Sequence, residues 1–270
     1  MRVEGRTATI TGAASGIGRG TAIALARRGC NLALADLNAP GLEETAALAE
    51  AHGVKASRHR LDVASREAVA ALPDAILAAH GRCDLLFNNA GVAIGGTFEQ
   101  VAEEDFDWLM EINFHGVVRM TRAFLPLLRA SDQARIVNIS SIFGIIAPPG
   151  QTAYCASKFA VRAFSESLRR ELEAEGAKIG VTVVHPGGVN TSIAKSARPP
   201  RGVNDLDLEA QKQRFEKFLV MPPEQAGEII VRGVEKERPR VIVGNDARFM
   251  AIVERLAPIS YWKLLGRALQ

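Results

Sequence analysis

What this chain lacks removes several classes of protein. It carries only three cysteines in 270 residues, Cys30, Cys83 and Cys155, an odd number without metal-ligand spacing. A disulfide framework is therefore not expected, and a reducing compartment is. The five histidines are scattered, with no pair at ligand spacing, so no metal site is expected. No run of 18 or more apolar residues occurs, and the opening MRVEGRTATI has no apolar signal core. A cytoplasmic protein that does not span a membrane is the expectation. The net charge is only +3 and is scattered, which argues against a nucleic-acid partner. No internal repeat, low-complexity tract or domain linker is visible.

What is present reads as an α/β chain. At 270 residues and 47% hydrophobic it is long enough for one large core. Short β-branched runs alternate with helical patterns. Strands are predicted at 7–11, 31–35, 55–60, 84–87, 135–139, 180–185 and 240–244. Helices are predicted from 16 to 28, over 40–52, after a Ser65 cap, over 102–129, from 151, and over 223–236. Seven strands separated by helices imply a doubly wound parallel sheet with helices on both faces, and ligands at the carboxyl ends of its strands.

The polar residues that stand out fall at those ends. The first strand runs into Gly12-Ala-Ala-Ser15-Gly16-Ile17-Gly18, where glycines before a helix let backbone amides approach a phosphate. The spacing is G-x-x-x-G-x-G rather than G-x-G-x-x-G, and a tight turn without a ligand remains the plain alternative. Asp36 ends the second strand, 18 residues after Gly18. A carboxylate there accepts hydrogen bonds from an adenosine ribose and repels a 2′-phosphate, which favours NAD, with NADP still possible. Leu37 offers a phosphate nothing, and Arg19 is the nearest cation.

The richest stretch is Asn138 to Lys158, NISSIFGIIAPPGQTAYCASK. Ser141 closes a strand, a Pro-Pro-Gly break follows, and Tyr154 and Lys158 lie one turn apart on the next helix. A free tyrosine titrates at about 10; lowering it to about 7 takes roughly 4 kcal/mol, about what one cation at about 4 Å supplies at an effective dielectric of about 20. Lys158 could in this way make Tyr154 an acid/base near neutral pH. Alone, Y-x-x-x-K is a cheap pattern that any surface helix can carry.

It does not stand alone. Together with TGAASGIG (11–18), Asp62-Val63, NNAG (88–91), Asn113, Ser141 and PGGVNT (186–191), it resembles the short-chain dehydrogenase/reductase family over residues 5 to about 245. The resemblance implies a single-domain Rossmann-like fold that binds NAD(P) and moves a hydride to or from an alcohol or ketone. By likeness, Tyr154 is the acid/base, Ser141 hydrogen-bonds the reacting oxygen, Lys158 lowers the Tyr154 pKa and holds the nicotinamide ribose, and Asn113 holds a proton-relaying water. The cofactor set implied is Gly12, Ser15, Gly16, Ile17, Gly18, Asp36, Asp62, Val63, Asn89, Ala90, Gly91, Tyr154, Lys158, Pro186, Gly187, Val189 and Thr191. A homodimer or homotetramer built on helices 102–129 and 151–175 is implied as well. The rival reading is a non-catalytic module that reports NAD/NADH on the same fold, although a sensor has no need to keep all four catalytic residues.

Ile142-Phe143 and Val92-Ala93-Ile94 would line the mouth of the site, so an apolar secondary alcohol or ketone is the expected substrate. Residues 1–245 then form the dinucleotide-binding and catalytic domain. Within it 192–221 is the substrate lid, with six basic and four acidic side chains from Lys195 to Lys217. Residues 246–270 form an amphipathic extension: Phe249, Ile252, Val253 and Leu256 make one stripe, Ile259, Trp262 and Leu265 a second. That stripe could cover the substrate pocket, meet a partner subunit, or rest on a membrane surface.

Overall fold

The computed structural model describes residues 1–191, 193, 196–202 and 217–268. Most of the 192–221 segment expected as a lid lies outside the described residues.

Seven strands form one sheet: β1 (Thr7–Thr11), β2 (Asn31–Asp36), β3 (Ala56–Arg60), β4 (Leu85–Asn88), β5 (Ala134–Ile139), β6 (Ile179–Pro186) and β7 (Arg240–Val243). Their spatial order is β3-β2-β1-β4-β5-β6-β7, and every pairing is parallel. Between them run α1 (Gly16–Ala26), α2 (Ala39–Glu50), α3 (Arg66–His80), α4 (Glu103–Met110), α5 (Gly116–Arg129), α6 (Thr152–Ala174) and α7 (Pro223–Glu235). Two more helices, α8 (Asn245–Leu256) and α9 (Tyr261–Ala268), follow β7. Among the described residues, no helix is long and apolar enough to cross a membrane.

Strand residues alternate between two cores because successive side chains point to opposite faces. Leu32 and Leu34 of β2 join Leu25 of α1, Leu42 of α2 and Ile230 of α7 on one face. Ala33 and Ala35 join Ile76 of α3 and Phe124 of α5 on the other. With both faces covered, the inner strands β1 and β5 are buried throughout, while the edge strands β3 and β7 are partly exposed. Local signals place the helix ends: Ser65 accepts from Ala68 N to start α3, and Gly81, at φ 72°, closes it.

The connection order reverses between β1 and β4, and this opens a crevice at the carboxyl ends of the two strands. The switch cannot be read locally, since β4 is 74 residues from the end of β1 but pairs Leu85, Leu86 and Phe87 with Ala8, Thr9 and Ile10.

The helix foreseen over 102–129 is present over 103–129, but a π turn spans Glu111–His115 between α4 and α5. Its centre is Asn113, fully buried, whose side chain is drawn to the backbone of Val92; such widened turns recur at functional positions. The stripe on α8 is split: Phe249, Ile252 and Leu256 are 60%, 58% and 80% exposed, while Val253 turns inward with Ala247, Met250 and Ala251. With Leu265 and Trp262 of α9, these cover Ile142, Ile145 and Ile146, and Ala147 N donates to Tyr261 Oη at 2.8 Å.

Candidate active site

The glycine turn after β1 is shaped by contact with its neighbour across the switch point. A Cβ on Gly18 would lie 2.0 Å from Gly12 O and 2.7 Å from Asn89 Nδ2, so backbone meets backbone here. Asn89 ties the two turns together by donating from Nδ2 to Thr11 O at 2.9 Å and to Gly12 O at 3.0 Å. Thr11, not singled out beyond its place in the motif, accepts from both Asn89 N and Ala90 N at 3.0 Å. Ile17 packs against the core as α1 starts at Gly16, with no acidic side chain in its first turn. A loop of small residues, Gly12-Ala13-Ala14-Ser15, leading into the amide end of a helix fits a phosphate group.

Asp36 stands at the carboxyl end of β2, where Oδ2 accepts from Ala14 N and Oδ1 from Asn38 N, both at 3.0 Å. Leu37 beside it is exposed. Arg19 is engaged on the α2 side, donating to Glu44 Oε2 at 2.7 Å, Ala14 O at 2.5 Å and Thr45 Oγ1 at 2.9 Å. At the end of β3, Asp62 Oδ1 accepts from Ala64 N, and Val63 is buried against Gly116.

Deeper in the crevice the remaining expected residues converge. A Cβ on Gly91 would meet Asn113 Oδ1 at 3.1 Å and Lys158 Nζ at 3.5 Å. Asn113 Oδ1 accepts from Val92 N at 2.8 Å, and its Nδ2 donates to Val92 O at 2.9 Å and Ser157 Oγ at 3.2 Å. Lys158 is buried and donates to Ile139 O at 3.1 Å, with Nζ 5.6 Å from the centroid of the Tyr154 ring. Ser141 stands beside Tyr154, near enough to favour its phenolate, and Ser141 Oγ accepts from Phe143 N at 3.1 Å. The loop after β6 closes the far side, where Thr191 lies 3.2 Å from the Cβ position of Gly16. Pro186 ends β6, Gly187 N donates to Val243 O, and Val189 bridges Met221.

The electrostatics depart from the sequence expectation. Although Tyr154 is only half-buried, the protein packed around it pushes the phenol up to about 12, while Ser141 beside it pulls the other way. Burial likewise pushes Lys158 down to about 8. Desolvation outweighs attraction because the ammonium sits over the ring and spends itself on a backbone carbonyl. Around Tyr154 the walls are apolar: Val92, Ile94, Phe106, Trp108 and Leu109 form one cluster with it, and Phe143 meets its ring edge-on at 6.2 Å. Ile142 is buried beneath and belongs to the core rather than the mouth.

His185, which the sequence leaves as a structural residue, is fully buried at the end of β6, donates from Nδ1 to Ser141 O at 2.9 Å and so braces the serine. Asp246, not singled out in the sequence, accepts from Gly188 N at 2.7 Å. Neither carries a local signal; each depends on which strand ends lie side by side. Among the described residues, no group of three or more histidine, cysteine or acidic side chains could hold a metal.

A family model described as short chain dehydrogenase matches residues 6–202. SadH of Mycobacterium tuberculosis, named only as an oxidoreductase and without a substrate, is 43% identical over 264 residues, 97% of this chain and 95% of its own. A short-chain dehydrogenase/reductase from Burkholderia phymatum, solved with NAD, superimposes with a TM-score of 0.87 at 30% identity over 95% of both chains. An alcohol dehydrogenase from Thermococcus sibiricus, solved with 5-hydroxy-NADP, gives 0.74 at 29% identity over 88% of this chain and 94% of its own. On this evidence the chain is an oxidoreductase that belongs to the short-chain dehydrogenase family.

Proposed function

We propose that the protein is an NAD-dependent oxidoreductase that interconverts an apolar secondary alcohol and its ketone. The observation that carries this is the convergence of Ser141, Tyr154, Lys158 and Asn113 at the carboxyl ends of the central strands, beside a glycine turn fitted to a phosphate. The glycine turn, Asp36, Asp62-Val63, the 89–91 turn and the 186–191 loop are the residues that would hold the cofactor. When bound, NAD supplies or accepts the hydride. The NAD-bound Burkholderia structure is consistent with that choice, as are Asp36 and the engaged Arg19.

The chain's own part is proton transfer and orientation. Ser141 aims the reacting oxygen at Tyr154, and the phenol, held protonated by burial, donates its proton as a carbonyl is reduced. In the other direction Tyr154 must first lose that proton, so oxidation gains as pH rises. Both polar ends of the Asn113 side chain bond to Val92, which leaves its main chain to contact a relaying water. The apolar walls around Tyr154 exclude water and favour a substrate without charge.

Two finer readings go with this. Residues 192–221 act as the lid, and its described start supports that: Arg198 stacks on Trp108 at 3.4 Å and pairs with Asp105 at 2.6 Å. The molecule assembles as a two-fold oligomer through α4, α5 and α6. Of the three roles open to residues 246–270, covering the substrate side is favoured by the packing of α8 and α9 on Ile142–Ile146.

The test is the absorbance of the reduced cofactor with a panel of secondary alcohols and ketones, on wild type and Tyr154→Phe. Wild type should turn over, and the variant should lose turnover while binding NAD about as well. Substantial residual activity in the variant would show that the acid/base is elsewhere. Cofactor binding without turnover on any substrate would favour the sensing module.

A further inference from the structure

We propose that Asp246 is a positioning residue that holds the 186–191 loop in place for the cofactor. The inference rests on that loop belonging to the cofactor site, as argued above. Asp246 itself lies beyond the residues 6–202 that the family model matches.

The geometry is specific. Asp246 Oδ2 accepts from Gly188 N at 2.7 Å. A Cβ on Gly187 would lie 2.3 and 2.6 Å from the two carboxylate oxygens, and one on Gly244 would lie 2.2 Å from Oδ1. The carboxylate therefore occupies the space that side chains at these two positions would need. Among the described residues Asp246 has no ion-pair partner, so its charge is spent on the loop amide and on the first turn of α8, where a carboxylate suits the helix dipole.

From the other side Met221 completes a clamp: Met221 N donates to Gly188 O at 3.0 Å, and Asn190 N to Met221 O at 2.9 Å. Gly187 N is tied to Val243 O at 2.9 Å. Thus fixed, the loop sets Thr191 over Gly16, across the crevice from the phosphate-fitted turn. The next residue of α8, Ala247, packs with Ile142, Ile145 and Ile146, the segment that follows Ser141. One carboxylate thus ties the cofactor loop to the helix that covers the substrate side.

The experiment compares wild type with Asp246→Ala, Asp246→Asn and Asp246→Ser in the full chain. Asparagine keeps an acceptor oxygen in place, alanine removes it, and serine offers a shorter one, which also serves if the alanine variant is too unstable to purify. First, hydrogen exchange at the Gly188 amide is measured without cofactor. Asp246→Ala should exchange about tenfold faster, Asp246→Ser in between, and Asp246→Asn close to wild type. Second, NADH binding is measured by calorimetry. Alanine should weaken it about fivefold, asparagine should restore it, and any activity should show KM for NAD rising more than kcat falls.

Unchanged Gly188 exchange in Asp246→Ala, or in Asp246→Ser where alanine cannot be purified, overturns the proposal. So does an Asp246→Asn variant as impaired as alanine. If wild type binds neither NADH nor NADPH, the cofactor reading fails on its own, while amide exchange still decides whether Asp246 holds the loop.

Discussion

His185 should make this protein sensitive to mild acid. Its ring is fully buried, Nδ1 donates to Ser141 O at 2.9 Å, and Nε2 has no hydrogen-bond partner among the described residues. Burial pushes its pKa from 6.5 down to about 4, against the smaller pull of the Ser141 bond in the other direction. The folded-state value is thus depressed, so the stability it contributes is present above about 6.5 and is lost as pH falls toward about 4. The full gap is worth about 3 kcal/mol, and about 2 kcal/mol of it is lost between pH 7 and about pH 5. Most carboxylates are still ionised at that lower pH, and His59 and His80, also lowered by burial, are common to both proteins, so the comparison with a His185 variant isolates this ring. Urea unfolding of wild type and His185→Gln at the two pH values is the assay, since the midpoint times the slope gives the stability. Wild type should lose about 2 kcal/mol more than the variant on acidification. Parallel losses in the two proteins would refute the reasoning, because they would place His185 in a site that admits its proton.

Asp36→Ala with Leu37→Arg should move cofactor preference toward NADP. The like-charge clash removed is of the kind that costs several kcal/mol, so wild type should favour NAD by about a hundredfold in kcat/KM. Equal efficiencies in wild type would mean that Arg19 leaves Glu44 for the phosphate. Gly18→Ala drives a methyl into Gly12 O, which cannot yield because it is backbone; expected are a stability loss of about 1–3 kcal/mol and loss of cofactor binding, read by thermal melting and calorimetry. Light scattering at micromolar concentration should find a dimer or tetramer, and a particle of only 29.0 kDa would refute the association.

Much of this protein was legible from its residues because the signals are short-range. Short β-branched runs mark the strands, and Thr7–Thr11 is found where the pattern puts it. Ser65 opens α3 through a backbone bond within a few residues, as its cap pattern predicts. The glycine turn and the stretch from Ser141 to Lys158 are each contiguous, so their chemistry could be read without a fold. Tertiary structure alone decided the rest. The Asn113 side chain reaches back to Val92, 21 residues earlier, and a π turn opens around it. The outer stripe of α8 was legible as amphipathic, but its direction was set by which face met Ile142–Ile146. The Tyr154 pKa turned on burial, a sum over every neighbour in space, and this reversed the sign expected from one lysine at i+4. Asp246 and His185 acquire meaning only where β6 and β7 end side by side with the Ser141 turn, because sheet order is chosen by burial of whole faces rather than by any local pattern.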